Sequence, residues 1–214
     1  MDGFTASEQR GSGVRAPSRP DPSSALVIRL AREDELADVA ALFGPAIEGY
    51  QAINDDPLIG AYLYELVTGV RERWEVGDTY VAVRDRRVVG SVAFYRDVAL
   101  EGWSTLPAGW TGFRALVVDP AARGAGIGSA LVEHCLVRSR ELGAAVLGIH
   151  TADFLSHAVR LYHAMGFVRC PEYDLAADRI FPVEGSHVTA IAFRYDLTAE
   201  PMGPRTVIEP GSTT

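Results

Sequence analysis

The sequence predicts a mixed α/β domain, and three observations support this fold class. Short runs rich in β-branched and aliphatic residues alternate with longer segments in which apolar residues recur every three to four positions. The composition is that of an ordinary globular protein, with 48% hydrophobic and 22% charged residues. The length of 214 residues suits one compact domain with tails, at roughly 150 residues per domain. Strands and helices in this order pack as layers around one core.

The first half of the domain is predicted to contain three strands and two helices. The strand-like runs lie at residues 25–30, 80–84 and 88–95, and the last two flank a hairpin turn at 85–87. A helix is expected over 36–43, where acidic residues of the first turn precede an apolar stripe, and Pro45 is expected to end it. Seven apolar positions from Ile59 to Trp74 fall on one stripe and predict a second helix.

The second half is predicted to contain two further helices between strands. The strand-like runs lie at residues 113–118, 144–150 and 188–195. Pro120 is expected to end the first of them, since proline cannot continue a β-ladder. One helix is expected over 129–142 with Gly143 as its C-terminal cap, and another over 154–165 that Gly166 ends.

The two ends of the chain differ in composition from the rest. Both are rich in Gly, Pro, Ser or Thr and poor in aliphatic residues, so they cannot bury enough surface to offset the entropy of ordering. We expect a disordered leader at 1–24, the folded domain at 25–197 and a flexible tail at 198–214.

Charge and residue usage exclude several classes of function. All 20 basic residues are arginine, so a P-loop nucleotide hydrolase, a pyridoxal enzyme and a Schiff-base aldolase are excluded, because each needs a lysine. The net charge of -8 argues against nonspecific nucleic-acid binding. The sequence has neither an apolar run of membrane-spanning length nor the apolar core of a signal peptide, so we expect no membrane contact and a cytoplasmic protein.

No metal site is expected from the sequence. Cys135 and Cys170 are too few for a disulfide framework or a four-thiolate site, and both are interpreted as core residues. His157 and His163 are six residues apart on a predicted helix and do not share a face, so a helical zinc pair is disfavoured.

The most informative segment runs from Phe113 to Ser129, where a strand leads through a glycine-rich turn into a helix. Backbone N–H groups without intrahelical partners converge there and attract phosphate, and glycines let a pyrophosphate approach the main chain. One alternative is a tight turn that binds nothing. A dinucleotide-binding fingerprint is a second alternative, but it fits poorly, because its spacing from Gly124 reaches Ser129 instead of glycine and the loop lies mid-chain.

Two blocks in this order give the sequence a family resemblance. The segment from Arg123 to Gly128 reads RGAGIG and fits the pattern Arg/Gln-x-x-Gly-x-Gly/Ala, and Leu161 to Phe167 reads LYHAMGF and fits Leu-Tyr-x-x-x-Gly-Phe. The chain therefore resembles the GCN5-related N-acetyltransferase (GNAT) superfamily over about 25–197. The resemblance implies a mostly antiparallel central sheet flanked by helices on both faces.

The resemblance also implies an activity. The chain would be an N-acetyltransferase that moves an acetyl group from acetyl-coenzyme A to a primary amine by direct attack in a ternary complex. Tyr162 would protonate the departing thiolate, and a backbone amide near Val118 would stabilise the oxyanion. The backbone of β-strand residues would pair with the pantetheine arm, and the amides of the loop would hold the pyrophosphate. The coenzyme-binding residues implied are Leu116, Val117, Val118, Arg123, Gly124, Ala125, Gly126, Ile127, Gly128 and Ser129.

Several points of this interpretation stay open at the level of the sequence. Leu155 stands where many family members have a coenzyme-contacting asparagine, and Thr151 or Ser156 is a substitute to consider. The general base is one of Glu101, Asp97 and Glu172, or a water. A non-catalytic acyl-coenzyme A sensor or interaction module of the same fold is the alternative function.

The acceptor amine is a small molecule or a peptide on this interpretation. Residues 44–75 and 171–187 are expected to shape its pocket, and their aromatic and acidic side chains would suit a cationic amine. The insert at 97–112 is interpreted as a lid or an interface. Dimers are common among proteins that resemble this one, so a homodimer is also an expectation.

Overall fold

Eight strands form one mixed sheet in the computed structural model, which describes residues 25–51, 55–181 and 183–198. In chain order the strands are β1 (Val27–Leu30), β2 (Asp78–Arg84), β3 (Arg87–Tyr95), β4 (Thr111–Val118), β5 (Val146–Ala152), β6 (Val168–Arg169), β7 (Leu175–Ala176) and β8 (Thr189–Asp196). They are arranged β1-β2-β3-β4-β5-β8-β6, and β7 also pairs with β8. Every pairing is antiparallel except that of β4 with β5, which confirms the predicted, mostly antiparallel sheet.

Six helices cover the two faces of this sheet within the described residues. They are α1 (Leu36–Ala41), α2 (Phe43–Gln51), α3 (Leu58–Thr68), α4 (Val70–Val76), α5 (Ile127–Glu141) and α6 (Ser156–Ala164). Consecutive side chains of β2 point to opposite faces of the sheet. Tyr80 packs into the core with α5 and α6, whereas Val81 packs into the core with α1 to α4. Among the described helices none is long and apolar enough to span a bilayer.

The first helical region differs from the prediction. Pro45 does not end a helix but lies in the first turn of α2, where an amide N–H has no intrahelical partner. The long stripe from Ile59 to Trp74 is not one helix either. It divides at Gly69, whose amide closes α3 by donating to the carbonyl of Glu65 at 2.8 Å.

The turn and cap predictions are confirmed. Asp85 and Arg86 join β2 to β3 with φ of 50° and 63°, the geometry of a two-residue hairpin turn. Gly143 has φ 71° directly after α5, as a glycine cap requires. Helix α5 begins at Ile127, two residues before the predicted start. The leader at 1–24, most of the tail at 198–214 and the side chain of Tyr50 lie outside the described residues.

Strands β4 and β5 are paired only briefly. Thr111 lies opposite Leu147 and Gly112 opposite Gly148, and no further pairs between these two strands occur in the described chain. Beyond Gly112, β4 stays bonded to β3 alone, so its other backbone edge is open. The sheet therefore splits between β4 and β5, which is where the site lies.

A β-bulge accompanies this divergence. Ala93 of β3 lies opposite Arg114, whereas Ser91 lies opposite Val117, so β4 has one extra residue over this stretch. Ala115 sits in the bulge with φ 53°, in the left-handed region that alanine rarely adopts. Since a bulge bends its strand and increases the local twist, it directs β4 away from β5.

Candidate active site

A cavity of about 410 Å³ opens beside the free edge of β4. Of the ten residues expected to bind the coenzyme, nine line it, and only Ala125 does not. The nine are Leu116, Val117, Val118, Arg123, Gly124, Gly126, Ile127, Gly128 and Ser129. The fold thus brings the strand edge and the glycine-rich loop to one concave surface.

The loop before α5 presents unpaired amides to this cavity. Within the described residues, the backbone N–H groups of 124–129 make no hydrogen bonds, while the first helical bond is from Ala130 to the carbonyl of Gly126 at 2.9 Å. The Arg123 amide was expected to join them, but it donates to the carbonyl of Pro120 at 3.4 Å. Free amides at the positive end of a 15-residue helix favour an anion.

The glycines of this loop serve two purposes. Gly124 and Gly126 have φ of 80° and 75° with open space around the missing Cβ, so conformation is what requires glycine there. Gly128 has no such strain, and a Cβ on it would meet Leu161 at 3.5 Å and Val118 at 3.8 Å. A methyl group would therefore fit at Gly128, but it would occupy space in the cavity.

Helix α6 and the residue before it form a second wall of the cavity. Leu155, His157, Ala158 and Leu161 line it. Leu155 thus occupies the expected asparagine position with an apolar side chain facing the cavity. Neither suggested substitute lines this cavity, since Thr151 belongs to a different cavity and Ser156 to none of those described here.

The third wall comes from α2 and α3, which were expected to shape the acceptor pocket. Phe43, Ala46, Ile47, Tyr62 and Leu66 line the coenzyme-side cavity. The expectation is wrong for α2, whereas Leu58, Tyr62 and Glu65 of α3 do line cavities on the acceptor side. Arg123 links the loop to this wall, because its Nη2 donates to the carbonyl of Ala46 at 3.4 Å. The sequence argument missed this because a helical stripe identifies the inward face of a helix but not the neighbour it packs against.

Tyr162 lies in the core cluster that also contains Ile127 of the cavity wall. Its side chain is 4% exposed, and its ring centroid is 5.6 Å from that of Phe167 and 5.9 Å from those of Phe113 and Phe193. It is not among the residues lining the cavity, and its hydroxyl makes no hydrogen bond with any described residue. Burial raises the pKa of Tyr162, so the hydroxyl keeps its proton at neutral pH.

Two adjoining cavities of about 220 Å³ and 60 Å³ lie on the other side of the split. Both are lined by Trp103, Arg114, Ile180 and Phe181. The smaller one also shares Tyr62 and Ala115 with the coenzyme-side cavity. We call these two cavities together the acceptor-side cavity. They lie across the split from the cavity at the glycine-rich loop, which we call the coenzyme-side cavity.

Two arginines and three glutamates line the acceptor-side cavity, and both arginines pair with the same glutamate. Glu65 accepts from Arg73 Nη1 at 2.7 Å with Oε1 and from Arg114 Nη2 at 2.9 Å with Oε2. Arg73 and Arg114 have side chains only 6% and 14% exposed. Sequence reasoning missed Arg114, although a lone charged residue inside the apolar run of β4 was a usable signal.

The structure separates the three candidate bases. Asp97 is committed to the backbone, because its carboxylate accepts from the amides of Ala99 at 2.8 Å and Gly109 at 3.0 Å. Glu172 is exposed and does not line the acceptor-side cavity. Glu101 lines it, and burial raises the pKa of Glu101 to about 7 while the charge of Arg114 opposes that rise.

The acidic residues expected around the acceptor serve other purposes. Asp56 accepts from the amides of Leu58 and His187, both at 2.9 Å, and Asp174 pairs with Arg169 at 2.7 Å. Neither lines the acceptor-side cavity. The expectation of an acid-lined pocket is therefore wrong for these residues, since their carboxylates hold loops together.

The insert at 97–112 is a packed part of the domain. Val98 and Leu106 are buried in a small core with Cys170, and Trp103 forms a wall of the acceptor-side cavity. Cys170 and Cys135 are both buried, as predicted. No grouping of three or more metal-ligating side chains occurs among the residues described.

Two buried polar atoms on the acceptor side have no hydrogen-bond partner. His150 Nε2 lies 3.0 Å from the Tyr173 carbonyl, which makes Nε2 the protonated nitrogen, and its Nδ1 is left with no partner. Trp103 Nε1 also has none. The two rings are neighbours, with centroids 5.3 Å apart. Burial lowers the pKa of His150, so its ring is neutral at pH 7.

A comparison with known protein families gives one match, in the middle of the chain. Residues 75–169, which hold both the free edge of β4 and the glycine-rich loop, match the family model described as an acetyltransferase (GNAT) domain. This segment of the chain is similar to GNAT acetyltransferases. A comparison with curated protein sequences gives no match.

Solved structures share the GNAT fold with this chain. The N-acetyltransferase from Staphylococcus aureus Mu50 is 20% identical with a TM-score of 0.54, over 81% of this chain and 99% of that one. The ribosomal-protein-S18-alanine N-acetyltransferase from Escherichia coli is 13% identical with a TM-score of 0.56, over 85% and 100%. The ribosomal-protein-alanine N-acetyltransferase from Brucella melitensis is 22% identical with a TM-score of 0.54, over 79% and 99%. At these identities the likeness concerns the fold.

Proposed function

We propose that this GNAT domain, over residues 25–197, is an N-acetyltransferase that transfers an acetyl group from acetyl-coenzyme A to a primary amine. The observation that carries the proposal is the pairing of a free β4 edge with the unbonded amides of 124–129 in one cavity. An extended polar arm that ends in a pyrophosphate needs both features, since the strand edge offers peptide groups to the arm and the amides offer donors to the phosphates.

The chemistry proposed uses residues on both sides of the split. Acetyl-coenzyme A supplies an activated acetyl thioester. Glu101 takes a proton from the acceptor ammonium, a role favoured by a pKa near 7 because such a carboxylate can both accept and release a proton at neutral pH. A backbone amide near Val118 donates to the carbonyl oxygen as that oxygen gains negative charge.

Tyr162 is proposed to donate its hydroxyl proton to the thiolate that departs as the C–S bond breaks. The second proton of the attacking nitrogen then returns to the Tyr162 oxygen, so that the step balances. The hydroxyl is protonated at neutral pH, and it has no hydrogen-bond partner among the described residues. Because Tyr162 is buried and does not line the cavity, this step requires the thiolate to come within reach of the Tyr162 hydroxyl.

The test is release of free thiol from acetyl-coenzyme A in the presence of a panel of primary amines. An N-acetyltransferase gives amine-dependent thiol release and an acetylated product detectable by mass spectrometry. The rival function is an acyl-coenzyme A sensor of the same fold, and the position of Tyr162 outside the cavity lining is the observation that favours it. Saturable coenzyme binding without thiol release for any amine supports the sensor and contradicts the enzyme.

A further inference from the structure

Two largely buried guanidinium groups and three carboxylates line the acceptor-side cavity. Glu65 is shared by Arg73 and Arg114, so one carboxylate faces two guanidinium groups. Glu101 is partly protonated at neutral pH, because burial raises its pKa to about 7. Glu72, the other carboxylate in the lining, is exposed and screened by solvent.

Arg114 and Trp103 also leave N–H donors unused. Within the described residues, Arg114 makes its one hydrogen bond through Nη2, to Glu65, so its Nε and Nη1 groups have no acceptor there. Trp103 Nε1 is buried with no acceptor. The guanidinium carbon of Arg114 lies 5.2 Å from the centre of the Trp103 ring, so these donors belong to one small region of the wall. A buried donor without a partner, as Trp103 Nε1 is, is costly unless a ligand satisfies it.

Hydrogen-bond acceptors lie nearby on the same wall. Glu101 lines the cavity together with Arg114, and its Oε1 would be 3.7 Å from a Cβ on Gly112, at the end of the β4–β5 pairing. His150 lines the smaller part of the cavity and has an unpartnered Nδ1 lone pair. The cavity thus has donors for an anion and acceptors for an ammonium a short distance apart.

We propose that the acceptor is a small amino acid-like amine, whose anionic carboxylate binds Arg114 and the Trp103 N–H while its amine faces Glu101. This inference rests on the proposed N-acetyltransferase function and adds the chemical class of the substrate. A planar carboxylate matches a guanidinium fork, and a charge-assisted hydrogen bond is stronger than a neutral one. A simple cationic amine would leave the unused donors of Arg114 and Trp103 without an acceptor.

The first experiment compares three matched series with the full chain and saturating acetyl-coenzyme A. The series are the free proteinogenic amino acids, their carboxamides and the corresponding decarboxylated amines. The proposal predicts that, for the best side chain, kcat/KM of the free acid exceeds that of the carboxamide by about tenfold to a hundredfold, the usual effect of a hydrogen bond to a charged group. Equal or better turnover of the carboxamide or the decarboxylated amine overturns the proposal.

Variants of Arg114 and Trp103 test whether these two residues cause the preference for the free acid. Arg114→Gln should abolish the preference for the acid over the carboxamide, because glutamine can bond either group but carries no charge. Trp103→Phe keeps the ring and removes the N–H, so it should raise KM for the acid severalfold while preserving the thermal midpoint, and it remains informative if Arg114→Gln fails to fold. Arg96→Gln, in an exposed side chain elsewhere, is the control that should change neither value. An acid preference unchanged in both cavity variants overturns the assignment.

The outcomes separate the two levels of the argument. Thiol release with some amines but without a preference for the free acid contradicts the proposed carboxylate site. It still supports the proposed N-acetyltransferase function. Rapid acetylation of peptide N-termini in preference to free amino acids has the same meaning. Coenzyme binding without thiol release for any member of the three series contradicts the proposed function and, with it, this inference.

Discussion

Gly112 and Gly148 lie opposite each other at the last paired position of β4 and β5, with no room for a side chain on either. A Cβ on Gly112 would be 2.5 Å from Val98 Cγ1, and one on Gly148 would be 2.7 Å from Trp110 Cε3. The insert at 97–112 therefore packs directly onto this pair. Beyond it the strands diverge, and the coenzyme-side and acceptor-side cavities lie on the two sides of the divergence.

The bulge at Ala115 should control coenzyme binding. We expect Ala115→Val to lose about 1–2 kcal/mol of stability and to weaken acetyl-coenzyme A binding, because a β-branched residue tolerates the left-handed region worse than alanine. Thermal unfolding and calorimetric titration measure both effects. Ala115→Gly is the matched control, since glycine adopts φ 53° without strain and should retain affinity. Full affinity in the valine variant would argue against a role for the bulge.

Tyr162→Phe should lower turnover by on the order of 10²-fold, the low end for loss of a general acid. The phenyl ring keeps the contacts with Phe113, Phe167 and Phe193, so the thermal midpoint should change little. Tyr80→Phe, at another buried tyrosine of the same core, is the control and should leave turnover close to that of the wild type. Equal turnover of the two variants would remove Tyr162 from the mechanism.

The proposed base gives the rate a pH dependence. Since burial raises the pKa of Glu101 to about 7, kcat/KM should rise as pH increases through that value and the carboxylate forms. Glu101→Gln should lower kcat/KM by 10²-fold or more and remove this inflection, while the contribution of the amine's own ionisation is common to both proteins. Superimposable pH profiles of the two proteins would exclude Glu101 as the base.

Stability in acid should depend on Glu35. Its carboxylate is 8% exposed and accepts from Arg29 at 2.6 Å and 2.7 Å, and these bonds lower the pKa of Glu35 to about 2. A lowered carboxyl pKa stabilises the fold above the ordinary value of 4.5, and this stabilisation disappears as pH falls towards 2. At about 1.4 kcal/mol per pKa unit the contribution is roughly 3 kcal/mol.

Chemical denaturation of Glu35→Gln as a function of pH tests this contribution. The variant should be less stable at neutral pH and should lose less stability than the wild type between pH 5 and pH 2. Asp34→Asn is the control, because Asp34 is 75% exposed and its pair with Arg32 should contribute little. Parallel acid profiles for wild type and Glu35→Gln would contradict the assignment.

The coenzyme side of the site could be predicted from local sequence. The loop from Arg123 to Ser129 combines glycines with the start of a helix. The backbone conformation of such a loop depends mainly on its own consecutive residues. The predictions failed where the structure depends on contacts between segments that are distant in sequence. Pro45 continued into a helix because the first turn tolerates proline, and α2 packed against the coenzyme-side cavity and not the acceptor side.

The acceptor side could not be read from the sequence for the same reason. Arg114 and Glu65 are 49 residues apart, and only the fold brings them within 2.9 Å. The bulge was also invisible, because alanine at position 115 carries no signal for a positive φ of the kind that glycine gives. Composition alone suggested an acidic pocket, whereas Asp56 and Asp174 turned out to bond with loops.

The most direct test of the central claim is a calorimetric titration of the full chain with acetyl-coenzyme A, with NAD as a control ligand. The loop geometry predicts saturable binding of acetyl-coenzyme A and none of NAD. Gly126→Val should abolish the binding of acetyl-coenzyme A. Gly143→Val should not, because it imposes a similar strain, at φ 71°, beyond the far end of α5. No binding at high micromolar acetyl-coenzyme A, or equal binding by both variants, would contradict the claim that this loop holds the coenzyme.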